Sequence, residues 1–135
     1  MSDAFKKGLK IRRKVLGNEW VDRALKGRTP FNEEYQDLIT RFAWNEIWNR
    51  PGLTHRERRL IVIGTMVGIG RWEEFQLHLR AALESGDLTV DDVKEILLQQ
   101  VIYCGVPAAN TAFREAREIA AEAAAKGKGR KKSKK

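Results

Sequence analysis

The chain has 135 residues, 42% of them hydrophobic and 33% charged, with a formal net charge of +8. That length suits one domain with a real core and is too short for two. The longest apolar stretch, residues 60–70 (LIVIGTMVGIG), falls far short of the roughly 20 residues a bilayer crossing needs.

Apolar residues recur every three or four positions along nearly the whole chain, and no stretch alternates long enough to argue a strand. Helices are expected at about 3–15, 18–26, 32–48, 54–69, 71–85, 89–104 and 107–125, with glycines and prolines at the boundaries. The architecture is therefore an all-α, single-domain bundle. Thr54 and Glu57 have capping-box spacing, and Thr89 with Asp92 repeats it less perfectly. Pro107 suits a first helical turn, while Gly70 and Gly86 can end helices in the left-handed conformation. Gly64 and Gly68 share a face of the most apolar helix. Two interior glycines cost about 1 kcal/mol each against alanine, which close approach of a second helix backbone, in the same chain or across a subunit interface, would offset. The same helix is expected to be central to the fold.

The basic charge sits at one end. Seven of the last ten residues (KGKGRKKSKK) are Lys or Arg, and without them the chain has 19 basic against 18 acidic residues. The domain is thus placed at 1–125, and 126–135 reads as a disordered basic tail that touches polyanions without sequence preference. A basic-tailed, non-enzymatic binding protein is the alternative from another class, opposed by the near-neutral domain and the lack of a recognition helix. No secretion signal opens the chain, and the single cysteine, Cys104, cannot form an intramolecular disulfide; both fit the cytoplasm. Cys104 reads as a small buried apolar residue, and no His, Cys and carboxylate set has metal spacing.

Three side-chain groups could carry chemistry. Glu74 and His78 are i,i+4 neighbours, so the carboxylate could orient the imidazole and raise its pKa into the range of a proton donor near neutrality. Glu46 lies between Trp44 and Trp48 in AWNEIW, where desolvation would raise a carboxyl pKa, although i±2 residues point apart on a helix. Arg50, Arg58, Arg59 and Arg80 could hold carboxylates by paired hydrogen bonds. Arg58 and Arg59 lie about 100° apart on a helix, so one of the two should face a cavity. His55 reads as surface.

Residues 12–25 (RRKVLGNEWVDRAL), 29–53 (TPFNEEYQDLITRFAWNEIWNRPGL), 73–83 (EEFQLHLRAAL) and 103–113 (YCGVPAANTAF) resemble the carboxymuconolactone decarboxylase family over nearly the whole chain except the tail. The resemblance implies an alkylhydroperoxidase D-like helical subunit in a ring-like homo-oligomer, a hexamer. It also implies decarboxylation of a dicarboxylate lactone without metal or organic cofactor. On this footing His78 is assigned proton delivery, assisted by Glu46 or Glu74, while Arg58 anchors a carboxylate ahead of Arg50 and Trp44 lines the pocket. Thiol peroxidases of the same superfamily need Cys-x-x-Cys upstream of the histidine; those positions here are Arg71 and Glu74, which opposes a peroxidase.

Overall fold

A computed structural model describes residues 2–133, with side chains described through Gly127. The described residues are helical, with no strand among them: α1 (Asp3–Leu16), α2 (Asn18–Lys26), α3 (Glu33–Ile39), a π-helical segment (Thr40–Trp48), α4 (His55–Ile69), α5 (Trp72–Ser85), α6 (Val90–Cys104) and α7 (Val106–Ser133). The chain divides within α4 into two compact units, one ending at Arg58 and the other beginning at Arg59.

In the first unit, the Ser2 hydroxyl accepts from the Phe5 amide and starts α1. The buried face of α1 carries Phe5, Gly8, Arg12, Val15 and Leu16, at helical spacing. Gly8 is where α1 meets the π segment. A Cβ built there would lie 2.0 Å from the Thr40 carbonyl oxygen. Backbone cannot yield as a flexible side chain can, so Gly8→Ala should destabilise the fold by about 1–3 kcal/mol or more. A thermal melt indistinguishable from that of the native protein would show that the two helices can separate at no cost.

One long α-helix was expected over 32–48, and the structure instead changes hydrogen-bonding pattern at Thr40. Apolar spacing of three to four residues does not distinguish i→i+4 from i→i+5 bonding, so the sequence pattern was blind to the change. Such segments are rare and are enriched at functional sites.

The second unit has a contiguous core in which Ile63 and Val67 of α4 meet Phe75, Leu79 and Ala82 of α5, with Leu97 of α6 and Ala112 and Ile119 of α7. Both capping boxes form. Glu57 N–H donates to the Thr54 hydroxyl (3.1 Å) and Thr54 N–H to the Glu57 carboxylate (2.8 Å). At α6 the Thr89–Asp92 box is complete, with distances of 3.1 and 2.9 Å. Gly70 and Gly86 take positive φ after α4 and α5, as their positions suggested.

Within the chain, Gly64 faces a side chain and not a helix backbone: the Gln100 amide donates to its carbonyl (3.0 Å) and would lie 2.6 Å from an added Cβ. Gly68 has only an ordinary contact with the Cys104 sulfur, at 3.6 Å. Nor is α4 buried around its circumference, since Ile61 and Ile69 are exposed. At the other end of the second unit α7 runs on to Ser133, past the boundary expected at residue 125. The Ala-rich run before Lys126 favours helix propagation into the basic segment, and helix growth adds one bond per residue fixed. The expected disordered tail, 126–135, falls at Lys134 and Lys135 outside the described residues.

Candidate active site

In the first unit, the π segment presents Trp44 and Trp48, four residues apart, with ring centroids 5.4 Å apart. His55, expected at the surface, is half-buried: its Nε2 lies 3.2 Å from the Trp48 carbonyl oxygen, and its ring meets Trp48 edge-on at 6.0 Å. Trp44 is 8% exposed, so most of its ring is core and little of it is left to wall a pocket. Glu46 is exposed, so the two indoles do not enclose it. Residues two apart on a helix point to opposite sides, and that geometry outweighs closeness in sequence.

The structure brings Arg58 and Arg50 together. Arg58 Nη2 donates to the Arg50 carbonyl oxygen at 3.4 Å, so the guanidinium lies against the Asn49–Gly52 turn, while Arg50 itself is exposed. Arg58 Nε is buried and meets no acceptor among the described residues. A planar guanidinium with an unpaired Nε edge has the donor geometry a carboxylate takes.

In the second unit, His78 lies on α5 between Leu77 and the core residue Leu79. Its pKa is pushed down to about 4. Burial is the main cause, the positive charge of Arg59 adds to it, and Glu74 opposes both. The expected upward shift is thus reversed. Glu74 is partly exposed and engaged by Arg71 at 2.9 Å; that hydrogen bond holds its pKa below the usual value and keeps the carboxylate ionised. Its negative charge is therefore shared with Arg71 and screened by water, while desolvation acts on His78 undiminished. At pH 7 His78 is a neutral imidazole.

Arg59, the neighbour of Arg58, is 0% exposed and donates through Nε to Asp87 at 2.7 Å. It belongs to the stripe Arg59–Ile63–Val67 on the buried face of α4. An arginine inside an apolar i, i+4, i+8 stripe was the available sequence signal, and Asp87, in the turn after α5, carried none. Arg80 is exposed and paired with Glu122 of α7 at 2.8 Å. This pair borders a cleft of about 300 Å³ lined also by Leu88 and Ile119. Among the described residues, no group of three or more His, Cys, Asp or Glu side chains could hold a metal ion. No helix among them is long and apolar enough to cross a membrane.

Comparison with known proteins places this geometry in a family. The chain is 42% identical over 115 residues to a 4-carboxymuconolactone decarboxylase of Acinetobacter baylyi, covering 85% of each chain. It is also 42% identical over 103 residues to the nitrosuccinic acid decarboxylase npaB of Metarhizium robertsii, covering 76% of this chain and 71% of that one. A 36-residue match at 50% identity links it to a 4-carboxymuconolactone decarboxylase of Pseudomonas putida, covering 27% of this chain and 75% of that one. Residues 33–118, which hold the π segment, Arg58, Arg59, His78 and Asp87, match the Carboxymuconolactone decarboxylase family, and the chain belongs to it.

Proposed function

We propose that this protein is a decarboxylase that converts γ-carboxymuconolactone to β-ketoadipate enol-lactone and carbon dioxide, in bacterial breakdown of protocatechuate. The observation that carries the reading is the 42% identity, over 85% of both chains, to a 4-carboxymuconolactone decarboxylase. The substrate supplies its own electron sink. The bond between the ring carbon and the departing carboxylate breaks, and its electron pair moves through the ring double bond onto the lactone carbonyl as a dienolate. A proton then adds at the carbon α to that carbonyl.

The protein's share of this reaction is orientation and charge stabilisation. His78, neutral at pH 7, cannot serve as an imidazolium donor, so its proposed role is hydrogen-bond donation from a ring N–H to the dienolate oxygen. A neutral imidazole is a sound electrophile for such an oxyanion. Water is the proposed source of the carbon-bound proton, with Glu46 as the alternative acid. Glu74 acts on the charge of His78 and is not a donor. Arg58 anchors a substrate carboxylate through its unpaired Nε edge, with Arg50 positioning it through the backbone carbonyl. Neither metal nor organic cofactor is assigned a step.

The assembly is proposed to be a homo-oligomeric ring, a hexamer, located in the cytoplasm. Phe31, Tyr35, Leu38 and Phe42 in the first unit, and Ile102 and Tyr103 in the second, are large, apolar and exposed, which supports burial against other copies.

A second reading is favoured by the likeness to the nitrosuccinic acid decarboxylase: a nitro group, like an unsaturated lactone, can hold the electron pair left by carbon dioxide. The purified protein should be given freshly generated γ-carboxymuconolactone and, separately, nitrosuccinate, and carbon dioxide release followed. Faster turnover of the lactone is expected. Turnover of nitrosuccinate alone would transfer the assignment to the nitro acid, and release from neither would remove it.

A further inference from the structure

Arg12 is the most unusual charge in the first unit. It is 2% exposed and stands in the middle of the buried face of α1, between Gly8 and Val15. Its Nη1 donates to the Gln36 side-chain carbonyl at 3.0 Å and to the Thr40 hydroxyl at 3.4 Å. Both acceptors are neutral. The Trp20 ring lies over the guanidinium, with its centroid 5.4 Å away. Nε is buried and has no acceptor among the described residues.

Three carboxylates nearby in sequence are committed elsewhere. Asp22 pairs with Arg13 at 2.8 Å, Glu19 with Arg23 at 3.2 Å, and Asp37 with Arg28 at 2.9 Å. Three more exposed arginines therefore reach an anion, and the buried one reaches none. A buried charge without a counter-charge is costly, and neutral hydrogen bonds with an aromatic face offset that cost only in part. Burial also holds the Arg12 pKa below its ordinary value, with Tyr35 opposing. A residue that only filled space at this point in the stripe would cost less as leucine or methionine.

The way the donors are used narrows the missing partner. Nη1 is occupied by Gln36 and Thr40, and Trp20 covers a face. What remains is the Nε edge, the side on which a planar carboxylate is received through two parallel hydrogen bonds. Thr40 also opens the π segment that carries Trp44 and Trp48, so the guanidinium is tied to the element where the fold departs from regular α-helix.

We propose that Arg12 is a carboxylate-binding residue, a second anchor in addition to Arg58 for the small polycarboxylate on which the enzyme acts. The proposal rests on the decarboxylase reading for the identity of the ligand, and on the unpaired guanidinium alone for the class of ligand. A carboxylate could also come from an acidic side chain of a second copy, and the test separates the two sources.

Succinate is a suitable probe, because it is a dicarboxylate that does not react. Its binding to the full chain should be measured by calorimetry for the native protein, Arg12→Met and Arg12→Lys, together with melting temperature and size in solution. Arg12→Met should weaken succinate by roughly 10–100-fold, the worth of a charge-assisted hydrogen bond or two. Without ligand its melting temperature should stay level or rise, because an uncompensated buried charge has been removed. Arg12→Lys should also lose affinity, since it keeps charge but not the paired geometry; if Arg12→Met does not fold, this variant carries the test. Native affinity in both variants would overturn the proposal, as would a native protein that does not bind succinate. A fallen melting temperature with unchanged affinity would mark Arg12 as structural, and loss of assembly with affinity kept would give the carboxylate to a second copy; either also overturns it. If succinate binding depends on Arg12 while no lactone or nitro acid is decarboxylated, the site stands and the proposed reaction falls.

Discussion

Replacing His78 with leucine should lower kcat by about 10²–10³-fold while the fold and assembly persist, the usual loss for one preorganised donor to an oxyanion. His78→Gln should lose less, because its amide still offers an N–H at similar reach. A cationic acid would behave otherwise, since glutamine cannot replace an imidazolium that gives up its proton. Equal and severe losses in both variants would therefore return proton delivery to His78. Near-native turnover of His78→Leu would make the residue structural.

The pH dependence gives an independent check on the same residue. With its pKa pushed down to about 4 in the folded chain against an ordinary 6.5, His78 binds fewer protons folded than unfolded between those two values. Stability must then rise with pH across this window and be lost on acidification from about 6.5 toward 4. The full shift corresponds to roughly 3 kcal/mol, and the His78→Leu variant should lack this component. Ring-proton NMR would read the titration directly. A midpoint for His78 at or above 6.5 would reinstate the imidazolium and overturn the neutral-donor role.

Much of the fold was legible from spacing alone, because an amphipathic helix repeats its apolar face every three to four residues and its caps have local chemistry. The Thr54–Glu57 and Thr89–Asp92 boxes, and the left-handed Gly70 and Gly86, needed no tertiary information. The π segment was not legible, since an apolar repeat of three to four residues fits i→i+5 bonding as well as i→i+4. The charge state of His78 was misread for a related reason. Sequence neighbours suggested that Glu74 would raise the His78 pKa and that two tryptophans would raise that of Glu46. In the folded chain Arg59 and burial act on His78 from outside its helical turn, and Glu46 is exposed. Arg12 and Arg59 were each visible as a charge inside an apolar stripe. Such a break in pattern marks a paired or functional group more specifically than a charge on a solvated face.

Asp87→Ala should be the most destabilising single change in the second unit outside its apolar core. Arg59 is fully buried, and its Nε donates to Asp87 at 2.7 Å. Removing the carboxylate takes a charged partner from a buried guanidinium. Breaking one side of a buried pair typically costs 3–5 kcal/mol. The Asp87 side chain is 36% exposed, so water can partly replace it, which places the expected loss near the low end, at about 3 kcal/mol. Arg59→Met tests the other half: it removes the charge together with the need for its partner, and should cost clearly less. Combining the two changes should be less damaging than Asp87→Ala alone, because methionine leaves no buried cation to solvate. Arg59→Met should also move the His78 titration upward, since the positive charge of Arg59 is one of the two causes holding it down. Denaturant unfolding of the three variants, with NMR of the histidine ring, makes both comparisons. A loss below about 1 kcal/mol for Asp87→Ala would put the pair in the class of surface ion pairs, which contribute little. An unmoved His78 titration in Arg59→Met would leave burial as its sole cause.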